Sequence, residues 1–177
     1  RARAALPEAI ASLRAETPVA LLLLLLAANT TFASGYLVLG PALARDLGRG
    51  ADGLGLLMAA AGSGAVAAGL VLAATASRMA GGRSLALSGL ALAGCVLAVG
   101  LSRSFEMTLL LLVGLGFAMV TYTATSNTLI QAIVPERLRG RVMALYTTVM
   151  VGMMPANGLF AGAIAEQFGV PSALVAG

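Results

Sequence analysis

The sequence has no lysine, no histidine and no tryptophan, and a single cysteine. Charged residues make up 10% of it, where an ordinary soluble domain carries about 25%. Each shortage removes a class of function. Without histidine or a second cysteine, the common zinc sites cannot be built, and no Ser–His or Cys–His nucleophile can be activated. No metal site, no cofactor and no enzyme activity are expected. The lone thiol, Cys95, lies inside an apolar run and fits a small buried filler. The formal net charge is +4. Its sign alone would suit nucleic acid, yet the arginines form no patch. They fall in short gaps between apolar runs, where membrane topology places them. No nucleic-acid partner is expected.

What is present is apolar. Of 177 residues, 59% are hydrophobic, and the mean hydropathy is +0.97. The 22 glycines fall mostly inside apolar runs, where they let membrane helices approach closely. A span needs about 20 apolar residues to cross roughly 30 Å of hydrocarbon. Five runs meet that length: Pro18–Leu39, Leu54–Ala76, Ser84–Leu101, Met107–Val134 and Val142–Ala165. A sixth begins at Val170 and is cut off. Runs such as Leu21–Leu26 lack the period-two alternation of a barrel. Helices remain, because each then satisfies its own backbone in lipid. Residues 1–17, with Pro7 and mixed charge, read as a cytoplasmic linker, either an amphipathic surface helix or a disordered tail. Residues 18–177 read as a transmembrane helical bundle. Arginines ahead of six leucines also resemble a secretory signal, but the run is too long and four more follow. The chain opens on Arg1 and stops at Gly177 inside an apolar stretch, so it is expected to be a fragment.

The gaps set an orientation. Arg1, Arg3 and Arg14 precede the first run; Arg45 and Arg49 follow it, mixed with Asp46 and Asp52. Arg78 and Arg83 follow the second run, Arg103 the third, and Arg137, Arg139 and Arg141 the fourth. Alternate sides therefore carry eight and three arginines. The richer side is expected to be cytoplasmic, with the start of the chain on it. The expected location is a bacterial inner membrane, crossed several times.

One stretch carries more than topology. Pro135-Glu136-Arg137-Leu138-Arg139-Gly140-Arg141-Val142-Met143-Ala144-Leu145 resembles the loop between helices ten and eleven of the major facilitator superfamily. It is most similar to the enterobactin-exporter-like and macrolide-efflux-like branch. Gly158-Leu159-Phe160-Ala161-Gly162 and then Glu166-Gln167-Phe168-Gly169 continue the likeness. The gap after the second run resembles the superfamily's loop motif, with Arg78 and then Gly82-Arg83, but Ser77 stands where the motif has an acid. The resemblance implies an all-α membrane fold: the C-terminal six-helix half of a twelve-helix transporter, five spans complete and the sixth truncated. It implies a cytoplasmic loop motif of Arg78, Arg83, Arg137, Arg139, Gly140 and Arg141. It also implies inverted three-helix repeats, with a site near the bilayer midplane. The first and fourth spans would be equivalent helices lining it.

No Asp, Glu or Arg lies deep in any run, so the intramembrane charges that usually mark ion pathways are missing here. Uncharged polar groups remain. In the first run Asn29, Ala33, Tyr36 and Gly40 share one helical face. Asn29 is expected near mid-bilayer, either bonded to a neighbouring helix or lining a cavity. In the fourth run Thr121, Thr125 and Thr128 share a face, and Asn127 and Gln131 another. Those threonines either bond back to their own helix or line the cavity. In the fifth run Tyr146, Met150, Met153 and Asn157 form a stripe that suits either core packing or a site for varied amphipathic ligands. Gly158 and Gly162 form a GxxxG pair, Pro155 is expected to kink that helix, and Ala60, Gly64 and Ala68 repeat the small-residue pattern in the second run.

The function these readings imply is a secondary active transporter exporting small amphipathic molecules, drug-like or siderophore-like, by alternating access. Its partners would be the small-molecule substrate, the lipid bilayer and a missing N-terminal half; the coupling ion is left open, with protons one candidate. The rival is a non-transporting scaffold or sensor with a transporter fold.

Overall fold

The computed structural model describes residues 35–75, 81–169 and 172. Its regular elements are helices: α1 (Gly35–Asp46), α2 (Ala51–Thr75), α3 (Gly82–Leu101), α4 (Phe105–Ile133) and α5 (Glu136–Phe168). No strand occurs among the described residues.

Short, self-bonded turns reverse the chain. Between α1 and α2, the Gly48 N–H donates to the Arg45 carbonyl at 2.9 Å, and the Arg49 N–H to the Ala44 carbonyl at 2.8 Å. Gly48 sits at φ 71°, the left-handed region where a side chain would be strained. Between α3 and α4, the Ser104 hydroxyl caps α4 by accepting the Met107 N–H at 3.2 Å. The Thr108 hydroxyl reaches back to Ser102 Oγ and to the Ser104 carbonyl, each at 2.9 Å. The Arg49 guanidinium lies over the Phe105 ring, 4.8 Å from its centroid. Both turns therefore sit at one end of the bundle and touch.

The turn at the opposite end corrects an expectation. α4 stops at Ile133 because Val134 precedes a proline and is held extended, φ −77° and ψ 128°. Pro135 then opens α5 at once, its carbonyl accepting the Leu138 and Arg139 N–H groups at 2.9 and 3.1 Å. Arg137, Arg139, Gly140 and Arg141 therefore lie in the first turns of α5, not in a loop. Likewise Arg83 lies in the first turn of α3. Helices thus extend past the apolar runs, because a proline or glycine marks the start and arginine disturbs a helix little. Arg78 lies outside the described residues.

α2, α3 and α4 are each long and apolar enough to cross a membrane. Large apolar side chains point outward from them: Leu56, Val66 and Leu70 on α2, Leu87 and Leu90 on α3, Met107 and Leu110 on α4. Such a surface is unfavourable in water and suits hydrocarbon. The chain is a multi-pass membrane protein.

α4 is the central helix. It packs most extensively on α2, and next on α3. Leu112, Leu115 and Ile130 of α4 are wholly buried, as are Leu57 of α2 and Leu92 of α3. α2 offers α4 the small-residue line Ala61, Gly64 and Ala68, with Ala60 half-buried beside it. A Cβ on Gly64 would strike the Val113 carbonyl, and one on Gly116 the Ala61 carbonyl. The two backbones therefore touch, and only glycine permits it. Across the other seam, a Cβ on Gly89 would lie 3.3 Å from the Tyr122 ring. α1 packs more lightly, on α2 and α5.

Candidate functional site

The polar string Thr121–Asn127 lies in the second half of α4, and α4 sorts it around its circumference. The Thr121 hydroxyl donates to the Phe117 carbonyl at 2.8 Å, the Thr123 hydroxyl to Met119 at 2.8 Å, and the Thr128 hydroxyl to Ala124 at 2.9 Å. Each bonds four residues back, as helical threonines do. Thr125 does not. It is 3% exposed, and its neighbour Ser126 is 1% exposed. Both hydroxyls lack a protein partner. Asn127 and Gln131 bond each other through their amides, on a more exposed flank with Thr128.

The candidates do not converge on one point. Gly114 of α4 faces Cys95 of α3, its Cβ direction 3.4 Å from the sulfur. At 100° per residue, Thr121 and Thr125 return to within about 20° of that line, so both lie toward the α3–α4 seam. Tyr146 meets α4 on the other flank. It is buried, 3% exposed, and its hydroxyl donates to the Thr123 carbonyl at 3.3 Å. Met150 is half-buried against the same core one turn on. Asn29 lies outside the described residues. Tyr36 belongs to α1, and Met153 and Asn157 to α5; their side chains are likewise outside the description.

Some features had only a faint sequence signal. Ser126 stands between Thr125 and Asn127, but nothing in spacing separates it from the back-bonding threonines. Thr147 and Thr148 are exposed beside buried Tyr146, each hydroxyl closed on its own helix, at 3.0 Å to Met143 and 2.8 Å to Ala144. Arg49 read as a topological charge, whereas its seat over Phe105 depends on two turns meeting, which no local pattern encodes. Among the described residues, a Cβ on Gly158 or Gly162 of the GxxxG pair would meet nothing within 4 Å. Chemically, the described site holds neutral donors and acceptors. It has no group of three His, Cys, Asp or Glu side chains that could hold a metal ion.

A family model described as transmembrane secretion effector matches residues 3–177. The chain belongs to that family. Its helices are those of a transporter of the major facilitator type. No curated protein and no solved structure matches it. Proteins of this superfamily move solutes and are generally not enzymes.

Proposed function

We propose that this chain is the C-terminal six-helix half of a twelve-helix secondary transporter. It exports small amphipathic molecules by alternating access, in the manner of the enterobactin-exporter-like and macrolide-efflux-like branch. The observation that carries this reading is the family match over residues 3–177. The polar run Thr121–Asn127 in an otherwise apolar helix supports it. Lipid alone would not favour such a run, and neutral polar groups near mid-bilayer suit a site between two halves. The start of the chain is cytoplasmic in a bacterial inner membrane, and α4–α5 turns on that side. Asn29, Tyr36, Thr121, Thr125, Tyr146, Met150, Met153 and Asn157 supply the substrate-facing polar and polarisable groups. Protons are the proposed coupling ion, and any coupling carboxylate belongs to the other half.

The test is efflux by the complete protein. Cells expressing it are expected to accumulate less of a lipophilic dye or a catecholate siderophore than cells with an empty vector, and to lose that difference when the proton gradient is collapsed. Unchanged accumulation across a panel of amphipathic compounds would favour the scaffold or sensor reading instead.

A further inference from the structure

The helices do not present the same face outward. At 100° per residue, Arg83, Leu87, Leu90, Gly94, Leu97 and Leu101 of α3 fall within about 40° of one line. Every one of them is exposed, the four leucines by 44–71%. The buried Leu85, Leu92 and Val96 lie on the opposite side of the helix. α3 thus carries an outward leucine stripe with an arginine at its head. The matching outward line of α2 is different. It runs through Gly55, Gly62, Val66 and Gly69, mostly without side chains, and Asp52 stands in its first turn.

Charge separates the two ends of the bundle. Cys95 lies against Gly114, and Gly89 against Tyr122, so α3 runs antiparallel to α4 and Arg83 lies at the end of the α4–α5 turn. Among the described residues, that end carries Arg83, Arg137, Arg139 and Arg141 against Glu136 alone. The other end carries Arg45, Arg49 and Arg103 against Asp46, Asp52, Glu106 and Glu166. All these side chains are exposed. One end is therefore basic and the other nearly balanced. Depth fits as well. Arg83 and Gly94 are roughly 16 Å apart along the axis at 1.5 Å per residue, about half of the hydrocarbon core and so the reach of one acyl chain. The surface is open at Gly94, where a Cβ would meet nothing within 4 Å.

We propose that the outer face of α3 binds an anionic phospholipid at the α4–α5 end. The Arg83 stem lies along the apolar surface and carries its guanidinium to headgroup level. There the planar fork donates to two phosphate oxygens at once. One acyl chain runs over Leu87 and Leu90 and ends near Gly94. The other arginines of this end disfavour a headgroup that carries its own cation, so phosphatidylglycerol is held in preference to phosphatidylcholine. The leucine stripe separates a lipid from a free phosphate, because it adds affinity only for an occupant with a chain.

Lipid quenching on the full chain in phosphatidylcholine vesicles tests it. A bimane is placed at Ala86→Cys in a Cys95→Ser background; Ala86 is exposed beside the stripe and leaves its leucines intact. Chain-brominated phosphatidylglycerol is expected to quench it at a mole fraction about five-fold lower than brominated phosphatidylcholine does. Arg83→Gln brings that ratio close to one, and Arg83→Lys keeps most of it. A bimane at Val66→Cys on α2 shows a ratio near one. A ratio near one at Ala86→Cys in the parent, or one that survives Arg83→Gln, overturns the site. Arg139→Gln acting as strongly as Arg83→Gln also overturns it, since the diffuse charge of that end would then suffice. Inorganic phosphate at constant ionic strength leaves the ratio unchanged; its loss would assign Arg83 to free phosphate instead. Quenching by phosphatidylcholine itself reports that each variant still lies in the bilayer, and quenching by neither lipid would show the face covered by protein and overturn the proposal. Transport is not read, so the outcome is independent of the proposed function.

Discussion

Gly64→Ala is the sharpest perturbation the packing offers. The added methyl would fall on the Val113 carbonyl oxygen of α4, with the Phe117 nitrogen 3.0 Å away. Both obstacles are backbone, so no side chain can rotate aside, and α2 must move off α4. Overpacking of this kind costs about 1–3 kcal/mol and sometimes more. The better helix propensity of alanine returns up to roughly 1 kcal/mol. Movement would also loosen the reciprocal contact of Gly116 with Ala61, which pushes the cost toward the upper end. A net loss of about 2 kcal/mol lowers the unfolding midpoint by roughly 4–8 °C in a chain of this size. Gly62→Ala and Gly69→Ala are matched controls, since a Cβ at either meets nothing within 4 Å. They are expected to leave the midpoint unchanged or raise it slightly. Cys95 is the single thiol and half-buried, so a fluorogenic maleimide reports unfolding in detergent. A Gly64→Ala midpoint equal to that of Gly62→Ala would refute the argument that α2 and α4 touch through their backbones.

Thr125→Val removes a buried hydroxyl that has no protein partner and is expected to stabilise the chain by about 1 kcal/mol, whereas Thr121→Val breaks a 2.8 Å bond and is expected to be neutral or destabilising; equal shifts in the same thiol assay would show the hydroxyls to be equivalent. For topology, cysteines at Gly50 and Ser104 in a Cys95→Ser background are expected to react with an impermeant maleimide outside intact cells, and cysteines at Gly81 and Leu138 to be protected; the reverse pattern would invert the proposed orientation. Glu106 and Glu166 are exposed near helix ends, so Glu106→Gln and Glu166→Gln are expected to leave the pH dependence of transport unchanged. Loss of proton coupling in either variant would place a coupling carboxylate in this half.

The helices were legible because lipid simplifies the rules. A backbone with no water to bond must be helical, and a long apolar run then names its own element. That logic finds α2, α3 and α4 to within a few residues, and it finds the turn at Pro135. It misjudges where α5 begins, because arginine is a good helix former and the apolar criterion hears only its charge. Arg137, Arg139 and Arg141 therefore read as loop while standing on a helix. The small-residue line is a subtler case. Glycine four apart predicts close packing somewhere, but the pattern cannot say which pairs find a neighbour. Among the described residues, Gly64 meets a backbone and Gly158 meets nothing, although both sit among small residues.

The polar positions show where sequence reasoning stops and why. Helical periodicity puts Thr121, Thr125 and Thr128 on neighbouring lines, and three threonines in one helix invite a single account. Their surroundings divide them. Thr121 and Thr128 close on their own carbonyls, while Thr125 leaves a buried hydroxyl unpartnered at almost the same angle as Thr121. Residue type and helical position are nearly the same for the two, so no local code separates them. Tyr146 makes the same point across helices. Its stripe with Met150 is periodic and visible, but its bond to Thr123 depends on how α5 leans on α4. That lean is set by several buried contacts at once, Val142, Tyr146 and Ala161 among them, and no one of them is marked by its neighbours in the chain.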